Sequence, residues 1–123
     1  MNSRLCAFCS IRRDSVVAAN ALAYAIYDKF PVTNRHVLVI PKRHAENYFS
    51  LTQDELIACD GLLRQLRDEV ERADPSVKGF NIGMNAGEVA GQTVFHCHIH
   101  FSRRYLFLEM CYQTKLMWYS IVL

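Results

Sequence analysis

This sequence of 123 residues carries almost no net charge: 14 Lys and Arg against 12 Asp and Glu leave a formal +2, and the cations are scattered. Wrapping a nucleic acid needs a basic stripe, so no nucleic-acid partner is expected. The amino end, Met1-Asn2-Ser3-Arg4-Leu5-Cys6-Ala7-Phe8-Cys9, has no basic start running into an apolar stretch. That excludes a secretory leader as an expectation and assigns the chain to the cytoplasm. Five cysteines in a reducing compartment do not make a disulfide framework. Internal repeats, low-complexity tracts and linkers are absent, which leaves one domain with one modest core. The carboxyl end is apolar from Tyr105 onward, but Glu109, Gln113 and Lys115 interrupt it. A membrane-spanning helix is therefore not expected.

What is present reads as strands, one long helix, then strands. Ala21 to Tyr27 and His36 to Ile40 carry strand-favouring residues, and Pro41 ends the second run. Thr52-Gln53-Asp54-Glu55 has the form of a capping box, with Thr52 as N-cap and Glu55 three residues on. Behind it Leu56, Cys59, Leu63, Leu66, Val70 and Ala73 recur at steps of three and four, the apolar stripe of a helix that should stop near Asp74-Pro75. Gly79 to Met84 resumes as a strand. This order predicts an α+β domain with a largely antiparallel sheet and one long helix.

The chemistry concentrates in Thr93-Val94-Phe95-His96-Cys97-His98-Ile99-His100-Phe101, which holds three of the five histidines at strict alternation. On a strand, His96, His98 and His100 share one face while Cys97, Ile99 and Phe101 take the other. Such a row reads as a metal site, as a nucleophile with supporting bases, or as an accident of composition. The loop Asn85 to Gln92 runs straight into it, and its glycines let backbone N–H groups approach an anion closely, with Gln92 and Thr93 as further donors. Cys6 and Cys9 form a Cys-x-x-Cys pair suited to a tetrahedral metal knuckle or a redox dithiol. The redox reading needs a helix after Cys9, which the sequence does not offer. Cys59 and Cys97 read as small buried hydrophobes. Lys42, Arg43, Arg103 and Arg104 read as solvated charges.

Gly91-Gln92-Thr93-Val94-Phe95-His96-Cys97-His98-Ile99-His100 resembles the signature of the histidine triad (HIT) proteins. The likeness extends upstream to Asn34-Arg35-His36-Val37-Leu38-Val39-Ile40-Pro41-Lys42-Arg43-His44 and to Gly79-Phe80-Asn81 through Asn85. The resemblance implies a HIT-like domain over residues 1–104. It also implies a hydrolase acting at the α-phosphate of a nucleoside phosphoramidate or dinucleoside polyphosphate, with a purine nucleotide or conjugate as ligand, and a homodimer. His98 would be the nucleophile, forming a nucleotidyl-histidine. His100 would lie beside the phosphate, with its backbone carbonyl holding the other nitrogen of His98, and Gln92 would assist catalysis. Asp28 would accept the ribose hydroxyls, Asn85, Gly91 and Thr93 would contact the nucleotide, and His36 would support the triad from behind.

Zinc-containing branches of that family imply a structural zinc on Cys6, Cys9, His44 and His96, a closed Cys2His2 set. After His100 the family's Pro-Arg pair is missing, and the tail 105–123 matches nothing in it. Three other activities remain open: a nucleotidyl transferase of the same fold, a nucleotide-binding adaptor with little turnover, and a catalytic metal on all three triad histidines.

Overall fold

The computed structural model describes residues 5–29 and 35–106. Five strands and one helix follow in the order β1 (Val16–Ala19), β2 (Ala23–Tyr27), β3 (Val37–Pro41), α1 (Gln53–Ala73), β4 (Gly79–Gly83) and β5 (Ile99–Arg104). The strands form one sheet in the order β1-β2-β3-β5-β4, and every neighbouring pair is antiparallel. The α+β expectation holds.

Local chemistry sets the element ends. Asn20 accepts from the backbone N–H groups of Leu22 and Ala23 through its side chain, a tight Asx turn. It excludes Ala21 and Leu22 from the strand predicted to begin there. β1 has no counterpart in the sequence reading; it is a short edge strand with a register shift between Val16 and Ala18. The α1 capping box forms as predicted: Thr52 accepts from the Glu55 N–H and the Glu55 carboxylate accepts from the Thr52 N–H. Its buried stripe is Glu55, Cys59, Leu62, Leu66 and Val70. Leu62 therefore replaces Leu63 as the fully buried member, and Ala73 is exposed.

The sheet has two covered faces. Ala23, Ala25, Val37, Val39, Ile99 and Phe101 pack under α1 with Cys59, Leu62 and Leu66. On the opposite face Tyr24, Ile26, Leu38 and Ile40 are covered by Phe8, Ile11 and Val16. Strand alternation makes this division, and the amino-terminal arm is what closes the second face. No helix among the described residues is long and apolar enough to cross a membrane. The tail beyond Leu106 lies outside the described residues.

Candidate active site

The histidine row is only partly a strand. β5 begins at Ile99, and Thr93 to His98 are irregular, with a bend at Val94 to His96. The reason lies in the backbone accounting: the His96 carbonyl accepts from the Nδ1–H of His98 at 2.8 Å, and the Cys97 N–H donates to the Ala45 carbonyl at 2.7 Å, beyond the end of β3. These are groups a sheet ladder would otherwise use. The predicted alternation survives where β5 is regular: Ile99 and Phe101 face the helix, while His100 pairs with Leu38 and Gly83 on the other face. The expected hold on His98 is corrected, because its partner is the carbonyl of His96 and not that of His100.

His96 leaves the row altogether. It is fully buried, and its Nε2–H donates to the Pro41 carbonyl at 2.7 Å. Its Nδ1 faces the sulfurs of Cys6 at 3.4 Å and Cys9 at 3.5 Å. The Cys9 sulfur lies 3.1 Å from Nδ1 of His44. All four ligand atoms of Cys6, Cys9, His44 and His96 fall within 4.8 Å of one another. A zinc ion with tetrahedral S and N ligands would hold those atoms about 3.6 Å apart, so the set needs little adjustment to close on one. The bond to Pro41 fixes the His96 tautomer with its Nδ1 lone pair inward, the usual orientation of a metal-binding imidazole. Burial, together with the Cys6 thiol beside it, pushes the Cys9 thiol up to about 11. A bound dication would displace that proton.

The remaining histidines form a chain. His98 and His100 meet edge to face, with ring centroids 5.3 Å apart. Nδ1 of His100 lies 3.0 Å from Nε2 of His36. Asp28 joins them: its carboxylate is within 4.8 Å of the nearest nitrogens of His36 and His100, and its N–H donates to the His36 carbonyl at 2.8 Å. Burial lowers the pKa of His36, of His98 and of His100, the last to about 4 with the charges of His98 and His36 adding to the effect. All three rings are therefore neutral at pH 7.

Neutrality decides the tautomers. Nδ1 of His36 is buried and has no partner among the described residues. A bare lone pair there costs less than a bare N–H, so its proton sits on Nε2 and is donated to Nδ1 of His100. His100 then carries its own proton on Nε2, as a donor. His98, donating from Nδ1 to His96, keeps the Nε2 lone pair. The two rings thus offer a nucleophilic nitrogen beside an N–H donor.

Gln92 is corrected. It is 3% exposed, its carboxamide nitrogen donates to the carbonyls of Glu46 and Val94, and its oxygen accepts from the Gly87 N–H. A side chain so fully used holds the loop in place and has no donor left for phosphate. The expected N–H cradle is also altered, since the N–H groups of Ala90, Gly91 and Gln92 bond back to carbonyls of the loop itself. Gly87 and Gly91 instead supply the positive φ values of 98° and 97° that the turn requires. Asn85 donates to the Ala90 carbonyl, and Thr93 is exposed at the rim.

Arg103 and Arg104 are not solvated. They are 7% and 5% exposed; β5 runs on through them paired with β4, and Arg104 donates to the Asn81 side chain. Arg43 forms a two-pronged pair with Glu55. Lys42 is exposed as expected. Sequence reasoning missed Phe8, whose ring meets that of His98 at a centroid distance of 5.1 Å. Its place between Cys6 and Cys9 was the available signal.

The HIT domain pattern matches residues 12–105 of the chain. This protein belongs to the histidine triad family. An uncharacterized 16.1 kDa HIT-like protein of Mycoplasma pneumoniae is 38% identical over 94% of this chain and 83% of its own length. An adenosine 5'-monophosphoramidase of Schizosaccharomyces pombe is 31% identical over 77% of this chain and 71% of its own. Among solved structures, a HIT family protein from Bacillus anthracis superposes with a TM-score of 0.76 at 35% identity, covering 85% of this chain and 77% of that one. A zinc-bound histidine triad family protein from Mycobacterium smegmatis gives 0.77 at 25% identity, covering 89% and 81%.

Proposed function

We propose that this HIT protein hydrolyses nucleotide conjugates at the α-phosphate, with His98 as the nucleophile. The observation that carries the reading is the opposed state of two neighbouring rings. His98 is held through Nδ1 by the His96 carbonyl, which leaves the lone pair on Nε2, and His100 is held through Nδ1 by His36, which leaves its proton on Nε2. In the first step His98 Nε2 bonds to phosphorus as the bond to the leaving group breaks. The leaving atom departs with the bonding pair and, for an amine, takes up a proton from solvent, and the N–H of His100 supports the charge that develops on the phosphoryl oxygens or the departing atom. In the second step water attacks phosphorus and supplies the hydroxyl while its other proton passes to solvent, and the N–P bond breaks with its electron pair returning to His98 Nε2 to release the nucleoside monophosphate. Asp28, beside His36 and His100, is suited to accept hydroxyl hydrogens from a ribose, while Asn85, Gly91 and Thr93 would contact the nucleotide. Gln92 serves by fixing the loop. The Schizosaccharomyces pombe relative supports a phosphoramidate as substrate.

Cys6, Cys9, His44 and His96 are the residues that would hold a structural zinc, and the zinc-bound Mycobacterium smegmatis protein supports that assignment. The ion would supply a cross-link between the arm, the β3 exit and the bend before β5, and no chemical step passes through it.

The test is rapid-quench labelling with an α-phosphate-labelled adenosine 5'-phosphoramidate, comparing wild type with His98→Ala. Wild type should accumulate acid-labile label on protein and release labelled nucleoside monophosphate, and the variant should do neither. Equal turnover by both proteins would remove His98 from the role.

A further inference from the structure

We infer that Phe8, carried between the two cysteines of the knuckle, is a positioning residue for His98, so that the metal site sets the orientation of the proposed nucleophile. The inference rests on the reading of His98 given above. Phe8 is half-buried, and its ring stands edge to face against His98 at 5.1 Å with an interplanar angle of 67°. It also lies 6.0 Å from the ring of His96 at 83°. Beside its contact with the His100 ring, His98 is thus constrained from two further sides: its Nδ1–H is held by the His96 carbonyl at 2.8 Å, and the Phe8 ring packs against its imidazole. A single hydrogen bond leaves the imidazole free to rock about χ2, because torsions into a planar ring are broad. An aromatic edge against that ring narrows the range.

What fixes Phe8 is the knuckle. Its carbonyl accepts from the Tyr24 hydroxyl, and the Cys9 N–H closes back onto the Cys6 carbonyl at 3.2 Å. The two flanking sulfurs converge on His96 and His44. His96 is at once the proposed ligand whose ring anchors the knuckle and the residue whose carbonyl orients His98. Both constraints on the nucleophile therefore originate in the same four-residue set. An arm released from that set would withdraw Phe8.

The experiment compares wild type, Phe8→Leu, Phe8→Tyr, Cys9→Ala and the double variant Phe8→Leu/Cys9→Ala. The readouts are zinc content, the His98 imidazole tautomer from long-range proton–nitrogen correlation spectra without substrate, and kcat and KM for adenosine 5'-phosphoramidate. Phe8→Leu keeps all four ligands and should retain stoichiometric zinc. It should nonetheless show a mixed or broadened His98 tautomer, with kcat reduced about tenfold and KM little changed, as expected when a reacting atom is misplaced. Phe8→Tyr, which keeps the ring, should restore the single Nδ1–H form. Cys9→Ala should disturb His98 as Phe8→Leu does, and the double variant should be no worse than either, since both changes break one linkage.

A zinc-replete Phe8→Leu protein with the wild-type tautomer and kcat would overturn the inference, and so would strictly additive losses. If Cys9→Ala does not fold, the Leu and Tyr substitutions decide alone. The tautomer is read without turnover, so an ordered His98 that never becomes labelled would sink the nucleophile reading and leave the positioning intact.

Discussion

Removing the charge of Glu55 isolates the contact that locks α1 to the segment carrying His44. The Glu55 carboxylate is 5% exposed. It accepts from Nε and Nη2 of Arg43 at 2.9 and 2.8 Å and from the Thr52 N–H at 2.9 Å, while Nη2 of Arg43 also reaches the Ser50 carbonyl at 2.8 Å. The Arg43 hydrogen bonds, chiefly, hold this carboxyl down from 4.5 to about 2, against the opposing effect of burial. Such a displacement corresponds to about 3 kcal/mol of preference for the charged form. Solvent reaches Arg43, which is 53% exposed, and screening reduces the contribution to about 1–2 kcal/mol.

Glu55→Gln should therefore lower the melting temperature at pH 7 by about 5–10 °C. Glu55→Ala, which also removes the reciprocal capping bond, should cost about 1 kcal/mol more. The folded-state pKa is depressed, so the contribution is complete above pH 4.5 and is lost as pH falls toward 2. Thermal melts followed by circular dichroism at steps from pH 7 to pH 2 should show the wild-type and Glu55→Gln curves converging across that window. A constant gap down to pH 2, or no gap at pH 7, would refute the reasoning.

The proposed zinc site predicts near-stoichiometric zinc by elemental analysis of untreated protein and a marked fall in melting temperature in Cys9→Ala; metal-free protein with an unchanged melt in that variant would rule it out. The lowered pKa of His100, about 4 against 6.5 unfolded, means that the unfolded chain binds more protons between those values. Stability should then decline as pH drops from 6.5 toward 4, and His100→Gln should flatten part of that slope in chemical-denaturation midpoints. An identical slope in the variant would count against a buried neutral ring. Gln92→Ala leaves the Gly87 N–H and two carbonyls without their partner and should cost about 1–3 kcal/mol, with a raised KM from a loosened loop. A variant with unchanged melting and a pure kcat loss would return Gln92 to a direct catalytic role.

The parts legible in the sequence were those governed by local chemistry. The Thr52–Glu55 box announces the start of α1 because both of its bonds close within four residues. Alternation at Ile99 and Phe101 predicts their burial because β5 is regular there. β1 was illegible: Val16–Ala19 mixes two valines with two alanines, and its pairing depends on a bulged register with β2 that no short pattern encodes. Arg103 and Arg104 looked solvated because charge is the local signal, whereas they lie on β5 where it continues alongside β4, a placement only the tertiary pairing reveals.

The triad shows where a strand pattern stops being sufficient. Strict alternation requires three histidines on one face, yet the buried His96 ring turns to Pro41, Cys6 and Cys9, and only its carbonyl remains with His98. A straight strand could not divide one residue between two sites, since its carbonyl would be committed to the ladder. The irregular stretch 93–98 frees that carbonyl, and the freed carbonyl fixes the His98 tautomer. The departure from regular structure is therefore what lets one histidine serve the knuckle through its ring and the proposed nucleophile through its backbone.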